Sequence, residues 1–137
     1  MITTLSCQSY TYEYETGLRE YFHNELNINN LNTNYYFIQV SNCNSCHGDK
    51  LNINYLINHN LENITIIIVG DSEKVDVVEG IKKLKQIYPV IIDQQKEIYQ
   101  YQTGFSKTLL VLANNNKLIN VLHINDTKIN QLSNLLK

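Results

Sequence analysis

The fold is decided by the stretch Gln39-Val40-Ser41-Asn42-Cys43-Asn44-Ser45-Cys46-His47-Gly48. It follows the apolar run at 35–38 and precedes a segment that can continue as a helix to about residue 58. In a strand–Cys-x-x-Cys–helix arrangement, the first cysteine lies at the helix N-terminus, where unpaired N–H groups and the helix dipole stabilise a thiolate. The second cysteine lies one turn further on, close enough to form a disulfide with the first. The stretch therefore predicts a reactive thiol at Cys43 and a partner thiol at Cys46.

Length and composition indicate one globular domain and exclude several function classes. The chain has 137 residues, which is enough for a single hydrophobic core. Its net charge is −2 and it has no Lys/Arg cluster, so no nucleic-acid partner is expected. The longest apolar run, 64–69, has the length of a strand, so no membrane span is expected either.

The third cysteine, Cys7, leaves two interpretations open. Residues 4–9 resemble the cleavage region of a bacterial lipoprotein signal, where the cysteine becomes the lipidated first residue. The basic and apolar regions of such a signal are missing. The alternatives are a frayed N-terminus with a chance cysteine, or a trimmed lipoprotein with a lipid anchor at Cys7. The expected location is the bacterial cell envelope or periplasm, with the cytoplasm as the alternative.

Hydrophobic patterning predicts alternating helices and strands. Tyrosines alternate with polar residues at 10–15, which favours a short edge strand or coil, and Thr16 is a suitable N-cap for a helix from 17 to about 26. Asn114-Asn115-Asn116 predicts a tight hairpin. Strands are predicted at 35–41, 64–69, 89–92, 108–113 and 117–123, and further helices up to about 58, at 72–88, at 96–102 and from 126 or 127 onwards. Strand–helix crossovers imply parallel pairing, and the hairpin implies an antiparallel edge.

Three features together resemble the thioredoxin superfamily, in particular its TlpA/ResA and AhpC/TSA (redoxin) types. They are the cysteine pair, the stretch Tyr88-Pro89-Val90-Ile91-Ile92-Asp93, and the segment from Tyr101 through the hairpin. The resemblance runs from about 35 to 137. It implies a thioredoxin-like α/β fold, a five-stranded mixed sheet flanked by helices. Residues 35–41 would lie at its centre, 64–69 and 108–113 beside them, and 89–92 and 117–123 at the edges. Residues 1–34 would form an N-terminal segment whose helix packs on this domain of 35–137, in a single domain overall.

The sequence departs from the family pattern at three places. Asn42 stands where a Trp normally precedes the motif, and the turn between the last two strands is Asn-rich. Lys107 stands where the family has a cis-proline that faces the cysteines, shapes the substrate groove and keeps metals off the pair. A lysine there offers a positive charge that favours the Cys43 thiolate.

The resemblance implies a thiol–disulfide oxidoreductase acting on a protein disulfide or dithiol. Cys43 would attack the partner disulfide, and Cys46 would resolve the mixed disulfide. Ser106, Lys107 and Thr108 would contact the substrate, and His47 and Lys107 would tune the thiolate. No cofactor and no metal are expected, and the chain is expected to be a monomer.

Other functions remain as alternatives. A non-catalytic module could bind a partner or a metal ion through Cys43, Cys46 and His47 with a fourth donor from elsewhere. The same residues match a c-type haem attachment pattern, but the strand-rich second half disfavours a small cytochrome. A peroxiredoxin is disfavoured because 38–42 has neither the Pro nor the Thr that precedes a peroxidatic cysteine.

Overall fold

The computed structural model describes residues 2–40, 47–70, 75–125 and 129–136, with side chains at 13–40, 51–70, 80–125 and 129–136. The helices and strands are α1 (Ile2–Asn24), β1 (Asn34–Val40), α2 (His47–His59), β2 (Ile64–Gly70), α3 (Val75–Ile87), β3 (Val90–Asp93), β4 (Thr108–Asn114), β5 (Lys117–Leu122) and α4 (Leu132–Leu135). Two short 3-10 helices, Glu97–Gln100 and Ile129–Gln131, precede β4 and α4.

The five strands form one mixed sheet in the order β3-β2-β1-β4-β5. Strand β1 pairs in parallel with β2, and β2 with β3, whereas β4 is antiparallel to both β1 and β5. This confirms the predicted α/β class, a five-stranded mixed sheet flanked by helices. It also confirms the predicted strand order, with β1 at the centre.

Both faces of the central strands are buried, because apolar residues occupy successive positions along them. On the first face, Tyr36 and Ile38 of β1 pack with Ile66 of β2 and with α2, α3 and α4. On the second face, Phe37 and Ile67 pack with α1 and with the segment between β3 and β4. The sheet is therefore the middle of three layers, and α1 belongs to the second outer layer.

The predicted hairpin is present between β4 and β5. Its two turn residues, Asn115 and Asn116, have φ values of 51° and 61°, the left-handed conformation that a tight type I′ turn needs and that Asn tolerates. Further along, the register shifts between Leu112 and Ala113, so that Ile119 of β5 is an extra, bulged residue. A bulge of this kind interrupts the free edge that β5 would otherwise offer to other strands.

The prediction for residues 10–16 is wrong. Residues 10–15 are helical, not strand or coil, and Thr16 lies within α1 instead of capping it. Tyr14, Leu18 and Tyr21 follow a helical period and pack on the second face of the sheet. The tyrosines at 10, 12 and 14 alternate with a period of two, whereas Tyr14, Leu18 and Tyr21 contact the sheet with the helical period of 3.6.

Smaller differences concern element ends. The third strand begins at Val90, one residue later than predicted, and the helix predicted at 96–102 is the shorter 3-10 helix Glu97–Gln100. The final helix consists of the 3-10 helix Ile129–Gln131 followed by one turn, α4. The predicted starts of two helices, at 72 and at 126 or 127, lie outside the described residues.

Truncating core residues on opposite faces should destabilise the protein, because both faces exclude water. Ile66 and Val111 are fully buried, one in each face's core. We expect Ile66→Ala to lower the free energy of unfolding by about 2–4 kcal/mol and Val111→Ala by about 1–3 kcal/mol. Ile119, which is 59% exposed, provides the control, and Ile119→Ala should cost less than about 0.5 kcal/mol. Urea unfolding measures all three. Equal costs for Val111 and Ile119 would contradict the two-faced core.

Candidate functional site

The carboxyl ends of the three parallel strands meet at one edge of the sheet, here called the carboxyl edge. Strands β1, β2 and β3 end there at Val40, Gly70 and Asp93, and antiparallel β4 begins there at Thr108. From β1 the chain continues to β2 on one side, while β4 pairs with the other side. Open α/β sheets bind ligands at such a switch point, outside the carboxyl ends of the strands. Cys43 and Cys46 belong to the segment that directly follows β1 in the chain.

The cysteine pair itself lies outside the described residues, which resume at His47. The predicted placement of Cys43 at a helix N-terminus and of Cys46 one turn into that helix therefore stays a prediction. The described part of α2 begins at His47, so Cys46 comes immediately before it in the sequence. The side chain of His47 is not among those described.

Lys107 lies beside the end of β1. Its carbonyl accepts a hydrogen bond from the Gln39 N–H at 2.9 Å, and the next residue, Thr108, is the register partner of Ile38. The Lys107 side chain is exposed. The backbone of this lysine is thus fixed next to the strand that leads into the cysteine segment, while its ammonium group is in contact with solvent.

The other two predicted substrate contacts differ from each other. The Thr108 side chain is buried, and its hydroxyl donates to the Ile124 carbonyl and accepts from the Ile124 N–H. That hydroxyl joins the start of β4 to the chain after β5. Ser106 is exposed, and its carbonyl accepts a hydrogen bond from the Tyr99 hydroxyl at 2.9 Å. The structure therefore brings Ser106 and Lys107 to the surface beside β1, with the Thr108 hydroxyl turned into the fold.

Gly70 allows the ends of β1 and β2 to approach closely at the carboxyl edge. Its φ is +127°, and a Cβ at this position would lie 2.4 Å from the Val40 carbonyl oxygen. Any side chain would collide with the backbone of β1 just before Ser41. The requirement for glycine thus comes from the geometry of this edge.

Asp93 joins three parts of the chain at the same edge. Its buried carboxylate accepts hydrogen bonds from the Tyr21 hydroxyl at 2.8 Å and from the N–H groups of Glu97 and Ile98 at 2.9 and 3.0 Å. The end of β3, helix α1 and the 3-10 helix after β3 are held together by this one side chain. Sequence reasoning identified Asp93 only as part of a family pattern and missed its partner Tyr21, which is 72 residues away in the chain.

Helix α1 packs closely against the segment 101–107, here called the pre-β4 loop. A Cβ on Gly17 would lie 2.0 Å from the Gln102 carbonyl oxygen, and a Cβ on Gly104 would lie about 3 Å from the ring of Tyr14. Gly104 also has a φ of +79°, which favours glycine. A glycine inside a helix often marks such a close approach, so Gly17 is the signal that could have revealed this contact.

The described residues contain no group of three or more His, Cys, Asp or Glu side chains that could hold a metal ion. Cys43 and Cys46 are not among the described residues. No helix in the described part of the chain is both long and apolar enough to cross a membrane.

No protein-family model matches the chain, and no curated protein matches it either. The fold and the residues at the carboxyl edge are therefore what bears on function.

The Tyr21–Asp93 contact makes the stability of the fold sensitive to alkali. Burial raises the pKa of Tyr21 far above its ordinary value, and the hydrogen bond to Asp93 and the negative charge of Asp93 raise it further. A raised pKa in the folded state stabilises the fold below the unfolded-state value of about 10. This stabilisation is lost as the pH rises above that value, by about 1.4 kcal/mol per pH unit for one such group.

We expect Tyr21→Phe to make the fall in unfolding free energy above about pH 10 less steep than in the parent. At neutral pH the same variant should lose about 1.5–3 kcal/mol, because it removes a hydrogen bond to a charged group. Urea unfolding at several pH values measures both effects. An alkaline slope equal to that of the parent would show that Tyr21 does not titrate in this way.

Proposed function

We propose that this protein is a thiol–disulfide oxidoreductase with a thioredoxin-like fold, and that it exchanges or reduces disulfides in a protein partner. The observation that carries the proposal is the position of the Cys43-x-x-Cys46 pair in this topology. In the sequence the pair lies between the end of the central strand β1, at Val40, and the start of α2, at His47, and the carboxyl end of β1 is a switch point of the sheet. A dithiol at this position suits redox chemistry, because the helix N-terminus and the open edge favour a thiolate that partners can reach.

The topology supports the thioredoxin-like assignment in more detail. The resemblance implies a central strand before the cysteines, the strands at 64–69 and 108–113 on either side of it, and the other two strands at the edges. The observed order β3-β2-β1-β4-β5 has these relations. In the same comparison, the residue before β4 should lie beside the end of the central strand, and the Gln39–Lys107 hydrogen bond places the Lys107 backbone there.

The proposed reaction proceeds by two thiol–disulfide exchanges. The Cys43 thiolate attacks one sulfur of the partner disulfide, which forms a mixed disulfide and releases the other partner sulfur as a thiolate. The Cys46 thiolate then attacks the Cys43 sulfur, which closes the Cys43–Cys46 disulfide and releases the second partner thiol. Two electrons pass from the cysteine pair to the partner, and a dithiol reductant is needed to restore the reduced pair.

The role of Lys107 in this proposal is electrostatic. An opposite charge near a thiol favours its ionised form and so lowers its pKa. Lys107 provides an ammonium group on a backbone that is hydrogen-bonded beside β1. Because the side chain is exposed, its effect is limited by solvent screening and by salt.

The proposed roles of the cysteines can be tested directly. Cys43→Ser should reduce the rate of insulin reduction by dithiothreitol to the rate measured without protein, whereas Cys7→Ser should retain the parent rate. In the reduced parent, iodoacetamide near neutral pH should label Cys43 well before Cys46, because the lower-pKa, exposed thiol reacts first. Faster labelling of Cys46 would overturn the role assignment. Binding of zinc without any insulin reduction would favour the metal-binding module instead.

If Lys107 acts electrostatically, removing its charge should change the reactivity of Cys43, whereas removing a lysine charge far from the carboxyl edge should not. Lys107→Met should raise the pKa of the Cys43 thiol and slow its alkylation at neutral pH by about two- to fivefold, the range expected for an exposed opposite charge. Lys117, at the start of β5 near the opposite edge, is the matched control, and Lys117→Met should leave the alkylation rate unchanged. The pH dependence of alkylation measures both. Identical curves for parent and Lys107→Met would show that Lys107 only solvates the loop.

A further inference from the structure

An additional hydrogen bond holds the pre-β4 loop at Ser106, which is exposed. The Tyr99 hydroxyl donates to the Ser106 carbonyl at 2.9 Å, and the Tyr99 ring packs against Phe105 with 5.5 Å between the ring centroids. The ring of Phe105 in turn packs against Phe37 of β1. The Tyr99 hydrogen bond thus closes a segment of eight residues, 99–106, and the Tyr99 ring contacts the central strand through Phe105.

Tyr99 is too exposed for its hydrogen bond to be explained as the pairing of a buried hydroxyl. Tyr99 is 48% exposed, and it is one of the few large apolar side chains at the surface of the described residues. A hydroxyl in contact with water needs no protein partner, so its loss should cost little global stability. The hydrogen bond instead fixes the position of the Ser106 carbonyl, and therefore of the peptide group that joins Ser106 to Lys107.

The two ends of the Ser106–Lys107 pair are therefore held by different elements. The Lys107 carbonyl is bound to Gln39 of β1, and the Ser106 carbonyl is bound to Tyr99 of the 3-10 helix. That 3-10 helix is itself anchored at Asp93, which accepts hydrogen bonds from its first N–H groups. These hydrogen bonds, together with the backbone between them, connect the end of β3 through Tyr99 and Ser106 to Lys107 beside β1.

We propose that Tyr99 is a positioning residue for the thiol site, whose hydroxyl holds Ser106 and Lys107 in place beside the carboxyl end of β1. This inference rests on the function proposed above. Tyr99 acts through the loop, and it takes no part in the exchange chemistry itself.

Tyr101 offers a matched control two residues away. Its hydroxyl donates to the Glu25 carboxylate at 2.7 Å and accepts from the Asn24 side-chain amide at 3.5 Å. These contacts join the loop to the end of α1, not to Ser106. Tyr99→Phe and Tyr101→Phe thus remove the same atom from the same segment, but only the first change releases the Ser106 carbonyl.

The experiment compares both variants with the parent in the intact chain. Tyr99→Phe should speed backbone hydrogen exchange in the peptide covering 102–107 and lower kcat/KM for insulin reduction, each by about threefold, since one neutral hydrogen bond is lost. It should also shift the pH profile of Cys43 alkylation to higher pH. Tyr101→Phe should keep the parent profile and kcat/KM, and both variants should unfold at about the parent urea midpoint.

A second arm tests whether Tyr99 acts through Lys107. In the Lys107→Met background, adding Tyr99→Phe should not shift the alkylation profile further, because the charge being positioned is already absent. A full additional shift in that background would overturn the proposed route.

The outcomes separate this inference from the proposed function. The parent could reduce insulin while Tyr99→Phe shows the same backbone hydrogen exchange, kcat/KM and alkylation profile as the parent. In that case the positioning role is wrong and the proposed oxidoreductase function stands. Equal shifts in both tyrosine variants would also reject the specific role of Tyr99. If the parent shows neither insulin reduction nor a reactive Cys43, the proposed function fails, and this inference fails with it.

Discussion

The burial of both faces of β1 and β2 is the constraint on which the rest of the structure depends. Seven consecutive residues of β2, Ile64–Gly70, are buried, so neither face of the sheet can be left to water. Helices α2, α3 and α4 cover the first face. The chain between β3 and β4 contains only a short 3-10 helix, which is not enough to cover the second face. Helix α1 therefore has to supply the missing layer.

Covering the second face makes α1 a structural support for both ends of the sheet. At the carboxyl edge, Tyr21 binds Asp93, and Gly17 lies against the backbone of Gln102. At the opposite edge, the Arg19 guanidinium donates to both the side chain and the carbonyl of Asn116, in the turn between β4 and β5. The sequence analysis treats α1 as part of an N-terminal segment that packs on the domain. In the structure, α1 also contacts the pre-β4 loop, which precedes Thr108 at the carboxyl edge.

The same arrangement explains how an irregular loop can have a defined position. The pre-β4 loop has no regular hydrogen-bonding ladder of its own. It is held by α1 at Gln102 and Gly104, by Tyr99 at Ser106 and by β1 at Lys107. Loops that are held on a rigid scaffold in this way are where binding and catalytic groups usually occur.

Local sequence patterns were sufficient to predict the strands and the hairpin, and the family resemblance was sufficient to predict the strand order. Strand positions follow from local runs of β-branched and aromatic residues, and the hairpin follows from three consecutive asparagines. The strand order was expected from the resemblance that the cysteine pair, the stretch 88–93 and the segment from Tyr101 through the hairpin carry together. The chemistry proposed for the cysteines also comes from the sequence. It remains a prediction, because Ser41 to Cys46 lie outside the described residues.

Three features could be found only in the folded chain: the extent of α1, the hydrogen bonds of the Thr108 hydroxyl inside the fold and the partner of Asp93. These features depend on contacts between residues far apart in the chain, such as Tyr21 and Asp93, which no local pattern encodes. The tyrosines at 10, 12 and 14 fit a period of two as well as they fit a helix. For Tyr14, Leu18 and Tyr21 the helical period brings all three against the second face of the sheet, and covering that face is worth more than local propensity.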